Sequence, residues 1–269
     1  MEPDTRRLEE LALNSSAPPG QLLYDGWLVR LANGQAKRAR SVNAVYPSTA
    51  PLDEKIAYCE GLYRRAGVPA IFRITPFSQP ASLDADLERR GYRRFETTAV
   101  ELATIDAARL GGPGAETVSI DEAAEAVGLM RGSPEAHREA HRMRLAGIPL
   151  ERRAVAIRAG GRVVAAGVTI VEDGCAGLFD IITDEAVRRR GHARTIVVNL
   201  LRAALELGAR YAYLQVKSDN EPARRLYRQF GFEERYEYWY RGRPEPTECP
   251  RTTSPISRAP WAALAAGAA

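Results

Sequence analysis

The chain has 269 residues, too many for one small module and suited to two domains of roughly 100–150 residues each. Apolar residues make up 45% and charged residues 27%, which excludes the disordered and collagen-like classes. The 38 Lys and Arg against 34 Asp and Glu leave a net charge of +4, too mild an excess for a non-specific nucleic-acid binder.

Residues 1–20 mix acidic and basic side chains, hold no apolar stretch of signal-peptide length and show no sustained period, so a loose end is expected. Residues 27–31 and 37–46 read as strands. A helix follows over 52–66, where Leu52, Ile56, Cys59, Tyr63 and Ala66 recur at three- and four-residue spacings before Gly67 stops it. A short apolar strand at 70–74, a helix at 83–91 and a strand at 93–102 complete a β-α-β-α-β series. Glycine and proline gather at 110–116, which marks a linker between a first domain over 21–111 and a second over 117–241.

The second domain opens with helices at 121–130 and 134–146, the first headed by Ser119 with the spacing of a capping box. A hairpin pattern turns at Gly160-Gly161 between strands at 154–158 and 163–171, and a third apolar strand covers 176–183. The helix predicted over 192–207 carries Ile196, Val197, Leu200, Leu201, Ala204 and Leu205 on one broad face and ends at Gly208. Then come a strand at 211–216, a helix at 220–230 and a strand at 232–240. The Pro-, Ser- and Thr-rich residues 243–269 are expected to be a loose tail.

The longest apolar run, 163–171, is about half a membrane span. Cys59, Cys175 and Cys249 are odd in number and widely spaced, which indicates neither a disulfide framework nor a zinc site. A cytoplasmic protein with free thiols, no metal and no membrane partner is expected. The two halves also echo each other, with Arg-Arg-Gly-Tyr at 89–92 against Gln-Phe-Gly-Phe at 229–232, as a duplication would leave. The fold class read from this pattern is α/β: a mixed central sheet with flanking helices, in two related domains in tandem.

The most informative stretch is Phe179 to Gly208. An apolar strand ends, a charged turn follows, and Arg188-Arg189-Arg190-Gly191-His192-Ala193 leads straight into an amphipathic helix. Free N–H groups at a helix N-terminus attract anions, and glycine there lets a phosphate approach closely. Residues 187–243 carry 13 basic against 6 acidic residues, a field that suits an anionic ligand or a solvated arginine-rich surface. Neither GxGxxG nor the Gly-Lys-Ser/Thr of a phosphate-binding NTPase loop is present, so nicotinamide and ATP chemistry are not indicated.

At these residues the chain resembles the GNAT superfamily of acyl-CoA-dependent N-acyltransferases, whose Arg/Gln-x-x-Gly-x-Gly/Ala pattern is matched by Arg188, Gly191 and Ala193. Residues 219–234, DNEPARRLYRQFGFEE, are similar to the superfamily's second recurrent segment. The first half would be a degenerate copy, because SVNAVYPSTAPLDEK lacks the cradle pattern.

The resemblance implies acetyl-CoA as co-substrate and direct attack of an amine on its thioester, with no covalent enzyme intermediate. The amides of Arg189, Arg190, Gly191, His192 and Ala193 would hold the pyrophosphate. Backbone at Ile181, Ile182 and Thr183 would bond the pantetheine and polarise the thioester carbonyl, while the side chains of Ile181 and Ile182 are core. Tyr227 would be the general acid for the departing thiolate, or else a helix tyrosine at a core edge. Asn220 serves equally as a helix cap or a cofactor contact. Asp180, Asp184 and Glu172 lie near the central strands without one standing out as base. His137 and His141 share a helix face without a third ligand, which reads as an exposed face rather than a metal site. Tyr236, Tyr238 and Tyr240 alternate on the last strand and face the core or, less simply, a substrate. The acceptor implied is a small amine or amino-acid-like molecule; a peptide or protein amine, or a non-catalytic acyl-CoA sensor, are the alternatives.

Overall fold

The computed structural model describes residues 1–32, 34 and 36–243. The expected loose tail, apart from Arg243, lies outside them, as does Cys249. In chain order the elements are α1 (Thr5–Asn14), β1 (Gln21–Tyr24), β2 (Trp27–Arg30), β3 (Val42–Ala44), α2 (Leu52–Arg65), β4 (Ile71–Ile74), α3 (Leu83–Arg89) and β5 (Arg93–Thr104). They continue as β6 (Glu116–Val118), α4 (Ile120–Met130), α5 (Glu135–Ala146), β7 (Glu151–Ala159), β8 (Arg162–Glu172), β9 (Cys175–Thr183), α6 (His192–Glu206), β10 (Tyr211–Lys217), α7 (Glu221–Arg228) and β11 (Glu233–Gly242). No helix among the described residues is long and apolar enough to cross a membrane.

All eleven strands form one sheet in the order β1-β2-β3-β4-β11-β5-β10-β9-β8-β7-β6. Only β3 with β4 and β9 with β10 run parallel, and each of these pairs is bridged by a crossover helix, α2 or α6. The series β3-α2-β4-α3-β5 and β9-α6-β10-α7-β11 therefore repeat one topology, as the echo at 89–92 and 229–232 suggests. The last strands of the two series change places: β5 lies against β10, and β11 against β4. They also pair with each other along their length. Residues 110–116 separate the halves in sequence, yet β5 is embedded in the sheet of the second half.

One face of the central sheet is covered by α6 and α7 over a core that includes Leu178, Ile196, Leu200, Leu214 and Val216. The opposite face is covered by α1, α4 and α5 over Val100, Leu102, Phe179 and Tyr213. A third core under α2 and α3 gathers Trp27, Ile56, Tyr63, Phe72 and Leu87. The apolar stripe of α6 is buried as the spacing predicts except at Leu205, which is 36% exposed. Ser119 caps α4, accepting from the Glu122 amide at 3.1 Å.

Three expectations are corrected. Residues 1–20 are not a loose end, because α1 buries Leu8, Leu11 and Ala12 at helical spacing and Asp4 caps it by accepting from the Arg7 amide at 2.8 Å. The strand expected over 37–46 shrinks to Val42–Ala44. Residues 37–39 form a 3₁₀ turn, held by Lys37 on Glu96 at 2.8 Å and Arg38 on the Tyr238 hydroxyl at 3.1 Å. A strand was also missed at Gln21–Tyr24, joined to β2 by the two-residue turn Asp25-Gly26. Both turn residues have positive φ, 42° and 82°, as a type I′ hairpin requires.

Docking of α1 rests on a buried charge pair. Arg73 on β4 donates to both carboxylate oxygens of Glu9, at 3.0 Å from Nη2, and the Tyr236 hydroxyl donates to Glu9 Oε2 at 2.6 Å. Removing one member of such a pair strands the other charge. Glu9→Ala is expected to lower stability by about 3–5 kcal/mol in urea denaturation; a change within about 0.5 kcal/mol, the range of ordinary surface substitutions, would place α1 outside the folded unit.

Candidate active site

The site begins with a stop in the parallel ladder. Strands β9 and β10 pair from Cys175 with Tyr211 to Leu178 with Leu214 and then part, while β9 stays paired to β8 as far as Thr183. The register with β8 slips at the same place: Phe179 faces Val168 but Ile182 faces Ala166, so Asp180 and Ile181 both stand opposite Gly167. This is a β-bulge, with Asp180 in the left-handed region at φ 56°. It points Phe179 and Asp180 to one face of the sheet, whereas Ile181 packs with the core under α6. From Phe179 to Thr183 the edge of β9 that faces β10 has no strand partner.

Beyond the bulge, residues 188–191 turn into α6. Arg189 and Gly191 are both left-handed, at φ 65° and 81°. Among the described residues, no oxygen accepts from the backbone amides of Arg189, Arg190, Gly191, His192 or Ala193; the turn's first ordered bond is from the Thr195 amide to Gly191 O at 3.1 Å. The arginine side chains are exposed, and among the described residues only Arg188 of the three, Arg188, Arg189 and Arg190, has a carboxylate within reach, Glu185 at 3.0 Å. Free amides, a helix dipole and exposed arginines are the features by which such turns attract anions, and this turn is called the amide socket below.

On the same face Tyr227 is 9% exposed in the cluster that also holds Leu178 and Leu214, the residues at the parting of the strands. Its hydroxyl makes no hydrogen bond to a described residue, and burial, helped by Glu101, pushes its pKa up to about 12. Asn220 is a cap: its Oδ1 accepts from the Ala223 amide at 3.3 Å. Ile181, Ile182 and Thr183 are partly buried, consistent with side chains in the core and backbone at the open edge.

The opposite face holds a cavity of about 480 Å³ between α4, α5, the 3₁₀ turn at 37–39 and the ends of β9, β10 and β11. Phe179 and Asp180 line it from one side of the parting, Gln215 and Lys217 from the other. The face of α5 bearing His137 and His141, expected to be exposed, lines this cavity, and Arg144 continues the stripe. His141 Nε2 lies 2.9 Å from Asp180 Oδ2, and Arg144 Nη2 lies 3.1 Å from His141 Nδ1. Arginine can only donate, so His141 Nδ1 is the acceptor of that contact. Burial opposes the charge on Asp180, but His141, Arg131 at 3.0 Å and Arg144 outweigh it and hold the carboxyl well below the usual carboxylate range. Tyr238 and Tyr240 are buried in the core, as the simpler reading of the last strand expects, and they also border the cavity. Sequence reasoning missed Arg38, Arg144 and Gln215; the spacing 137, 141, 144 was the available signal for one of them.

The first half has no counterpart to the amide socket. There the turn before α2 offers the amides of Thr49 and Ala50, but the Asp25 carboxylate already accepts from both, at 3.0 and 2.9 Å. Lys55, in the first turn of α2, closes the arrangement at 3.1 Å from Asp25 Oδ2.

A bulged strand parting from its parallel neighbour, followed by a helix with open N-terminal amides, is the kind of place at which open α/β sheets bind ligands. The residue pattern of the acetyltransferase (GNAT) family matches residues 120–232. The chain is 29% identical over 250 residues to the "Uncharacterized N-acetyltransferase YobR" of Bacillus subtilis (strain 168), spanning 88% of this chain and 98% of that protein. Its fold is similar to a GCN5-related N-acetyltransferase from Kribbella flavida, with a TM-score of 0.66 at 18% identity over 90% of this chain and 96% of that one. It is also similar to a tandem GNAT protein from the clavulanic acid biosynthesis pathway, with a TM-score of 0.51 at 17% identity over 72% and 70%. Residues 120–232 are an acetyltransferase domain of the GNAT family.

Gly167 lets α6 approach the bulge. A Cβ there would lie 2.7 Å from Ile196 Cγ2 and 2.8 Å from Leu200 Cδ1. Gly167→Ala is expected to cost about 1–3 kcal/mol by overpacking, read from the chemical denaturation midpoint; an unchanged midpoint would mean that α6 does not seat here.

Proposed function

We propose that this protein is an acetyl-CoA-dependent N-acetyltransferase acting on the primary amine of a small molecule, working in the cytoplasm. The observation that carries the reading is an amide socket at the head of α6 together with a cavity on the opposite face of the sheet, both beside the point where β9 and β10 part. The socket fits the diphosphate of coenzyme A in charge and in donor count. Bound acetyl-CoA would supply the acetyl group as an activated thioester, taken directly by the amine without an acyl-enzyme.

The chain's own residues then divide the work. Amides of Arg189 to Ala193 hold the diphosphate. The open edge of β9 at Ile181, Ile182 and Thr183 offers donors toward the thioester carbonyl, where removal of one such donor costs on the order of 3 kcal/mol in the transition state. Tyr227 gives its proton to the departing thiolate, and a pKa of about 12 keeps it protonated at neutral pH. Asp180, ionised on the strand edge, draws the cationic amine toward the gap, and the amine loses its proton to water before its lone pair attacks the thioester, since a carboxyl held so far below the usual range is a weak base. Cys59 and Cys175 take no part: both are buried, and burial pushes the Cys59 thiol up to about 12. A cavity of about 480 Å³ suits a small acceptor rather than a protein tail.

Thiol release from acetyl-CoA with a panel of amines tests the reading. Tyr227→Phe should slow turnover by roughly 10²-fold or more with CoA affinity nearly unchanged; an unaltered rate would remove Tyr227 from the role of acid. Because a group with a pKa near 12 loses its proton only above that pH, the wild-type rate should show no fall attributable to Tyr227 up to about pH 10. Micromolar CoA binding with no turnover of any amine would favour a sensor over an enzyme.

A further inference from the structure

The cavity beside the parting of β9 and β10 holds more hydrogen-bond donors than it satisfies. Arg38 donates from Nη1 to the Tyr238 hydroxyl at 3.1 Å, and Arg144 donates from Nη2 to His141 Nδ1 at 3.1 Å. Among the described residues no carboxylate lies within 4.0 Å of either guanidinium, whereas Lys37, Arg131 and Arg138 each have one, at 2.8, 3.0 and 2.9 Å. A guanidinium carries five N–H donors and no acceptor, so most of both forks is unmatched. Gln215 adds a third donor. Its Oε1 accepts from the Tyr238 hydroxyl at 2.9 Å, which fixes the amide's orientation and leaves Nε2 enclosed without a partner.

At Arg144 and at the enclosed Gln215 amide this arrangement is unfavourable by itself. Burial pulls the Arg144 guanidinium below its ordinary value; Asp180 opposes this, and the charges of Arg38 and Arg131 add to it. An oxygen-rich anion would relieve the repulsion and match the unsatisfied donors at once. Asp180, paired with Arg131 and His141, lies on the strand edge of the same cavity, and of the lysines and arginines that line it Arg38 and Arg144 are the two with no carboxylate within 4.0 Å among the described residues.

We propose, resting on the transferase reading above, that the acceptor is an amine that also bears an anionic oxygen group, a carboxylate or a phosphate, seated on Arg38, Arg144 and Gln215. The amine then points to the gap and the anion away from it. This orientation leaves one nitrogen in line for acetylation and discriminates against amines of the same size without the anion.

Matched acceptors test this with the full chain and acetyl-CoA: a panel of α-amino acids, their carboxamides, and phosphate monoesters of amino alcohols. Replacing the anion by a carboxamide should lower kcat/KM by roughly 10²-fold or more, since it leaves charged donors facing a neutral group. The better of carboxylate and phosphate identifies the anion. Arg38→Met and Arg144→Met should raise KM for the preferred acceptor roughly 10- to 100-fold with a smaller change in kcat, and Arg144→Lys should recover part of the loss. Equal use of carboxamides, or an unchanged KM in both methionine variants, would overturn the proposal. A second readout does not depend on transfer: calorimetric titration of inorganic phosphate and of N-acetylglycine, with CoA titrated separately as a control for folding. Binding of either probe that weakens at least tenfold in the methionine variants, whose CoA affinity is retained, supports the anion site even if no amine is acetylated. That pattern with no turnover sinks the transferase reading alone; no binding of either probe by the wild type, or equal binding by the variants, sinks the anion site alone.

Discussion

Parallel strands are held by evenly spaced, slanted hydrogen bonds, and between β9 and β10 these end at Leu178 and Leu214. The extra residue at the bulge turns β9 so that its backbone can no longer follow β10. Three consequences meet at this point. One strand edge is left with free polar groups inside the molecule, where they need a partner. Phe179 and Asp180 fall on one face while Ile181 keeps to the other. Gly167, opposite the bulge, allows Ile196 and Leu200 of α6 to lie against the sheet, and this sets where the head of that helix projects. The cavity, the open edge and the amide socket thus share one origin.

The two halves show the same topology put to different ends. Both place a turn of free amides between a strand and a crossover helix, an arrangement that attracts negative charge wherever it occurs. In the second half Gly191 and exposed arginines leave that turn open to solvent. In the first, the hairpin turn at Asp25 delivers a carboxylate from within the chain, and Thr49, Ala50 and Lys55 gather round it. The amides of Thr49 and Ala50 hold Asp25 well below the usual carboxylate range, so at neutral pH it is a permanent resident. An internal anion in that turn is a physical reason for the first half to have no use for a phosphate-bearing ligand.

Much of this was legible in the sequence because it is local. The α6 stripe, the Gly160-Gly161 hairpin and the Arg188-to-Ala193 turn each declare themselves within a few residues. The misses have physical causes as well. In α1 the buried face includes Glu9, whose charge hides the apolar period and makes sense only beside Arg73, 64 residues away. Asp25-Gly26 is a standard hairpin signal, but the strand before it, β1, is four residues long and only half-buried, so its apolar pattern is weak. The role of Arg38 could not be read at all: it depends on Tyr238, 200 residues further along, and on a sheet order that brings the two together. His137 and His141 were legible as a face but not as a lining, since nothing local says that α5 leans over the bulge.

The exchange of β5 and β11 carries a consequence for how the molecule comes into being. Strand β4 leaves the ribosome early, but its neighbour on the inner side of the sheet is β11, so Ile74 waits for Trp239 before that edge is covered. Pairings this distant in the chain close only after a large loss of loop entropy and tend to form slowly. During synthesis the first half must therefore persist with an exposed strand edge, vulnerable to pairing with another nascent copy. Native assembly is therefore a race between the arrival of the final strand and intermolecular capture.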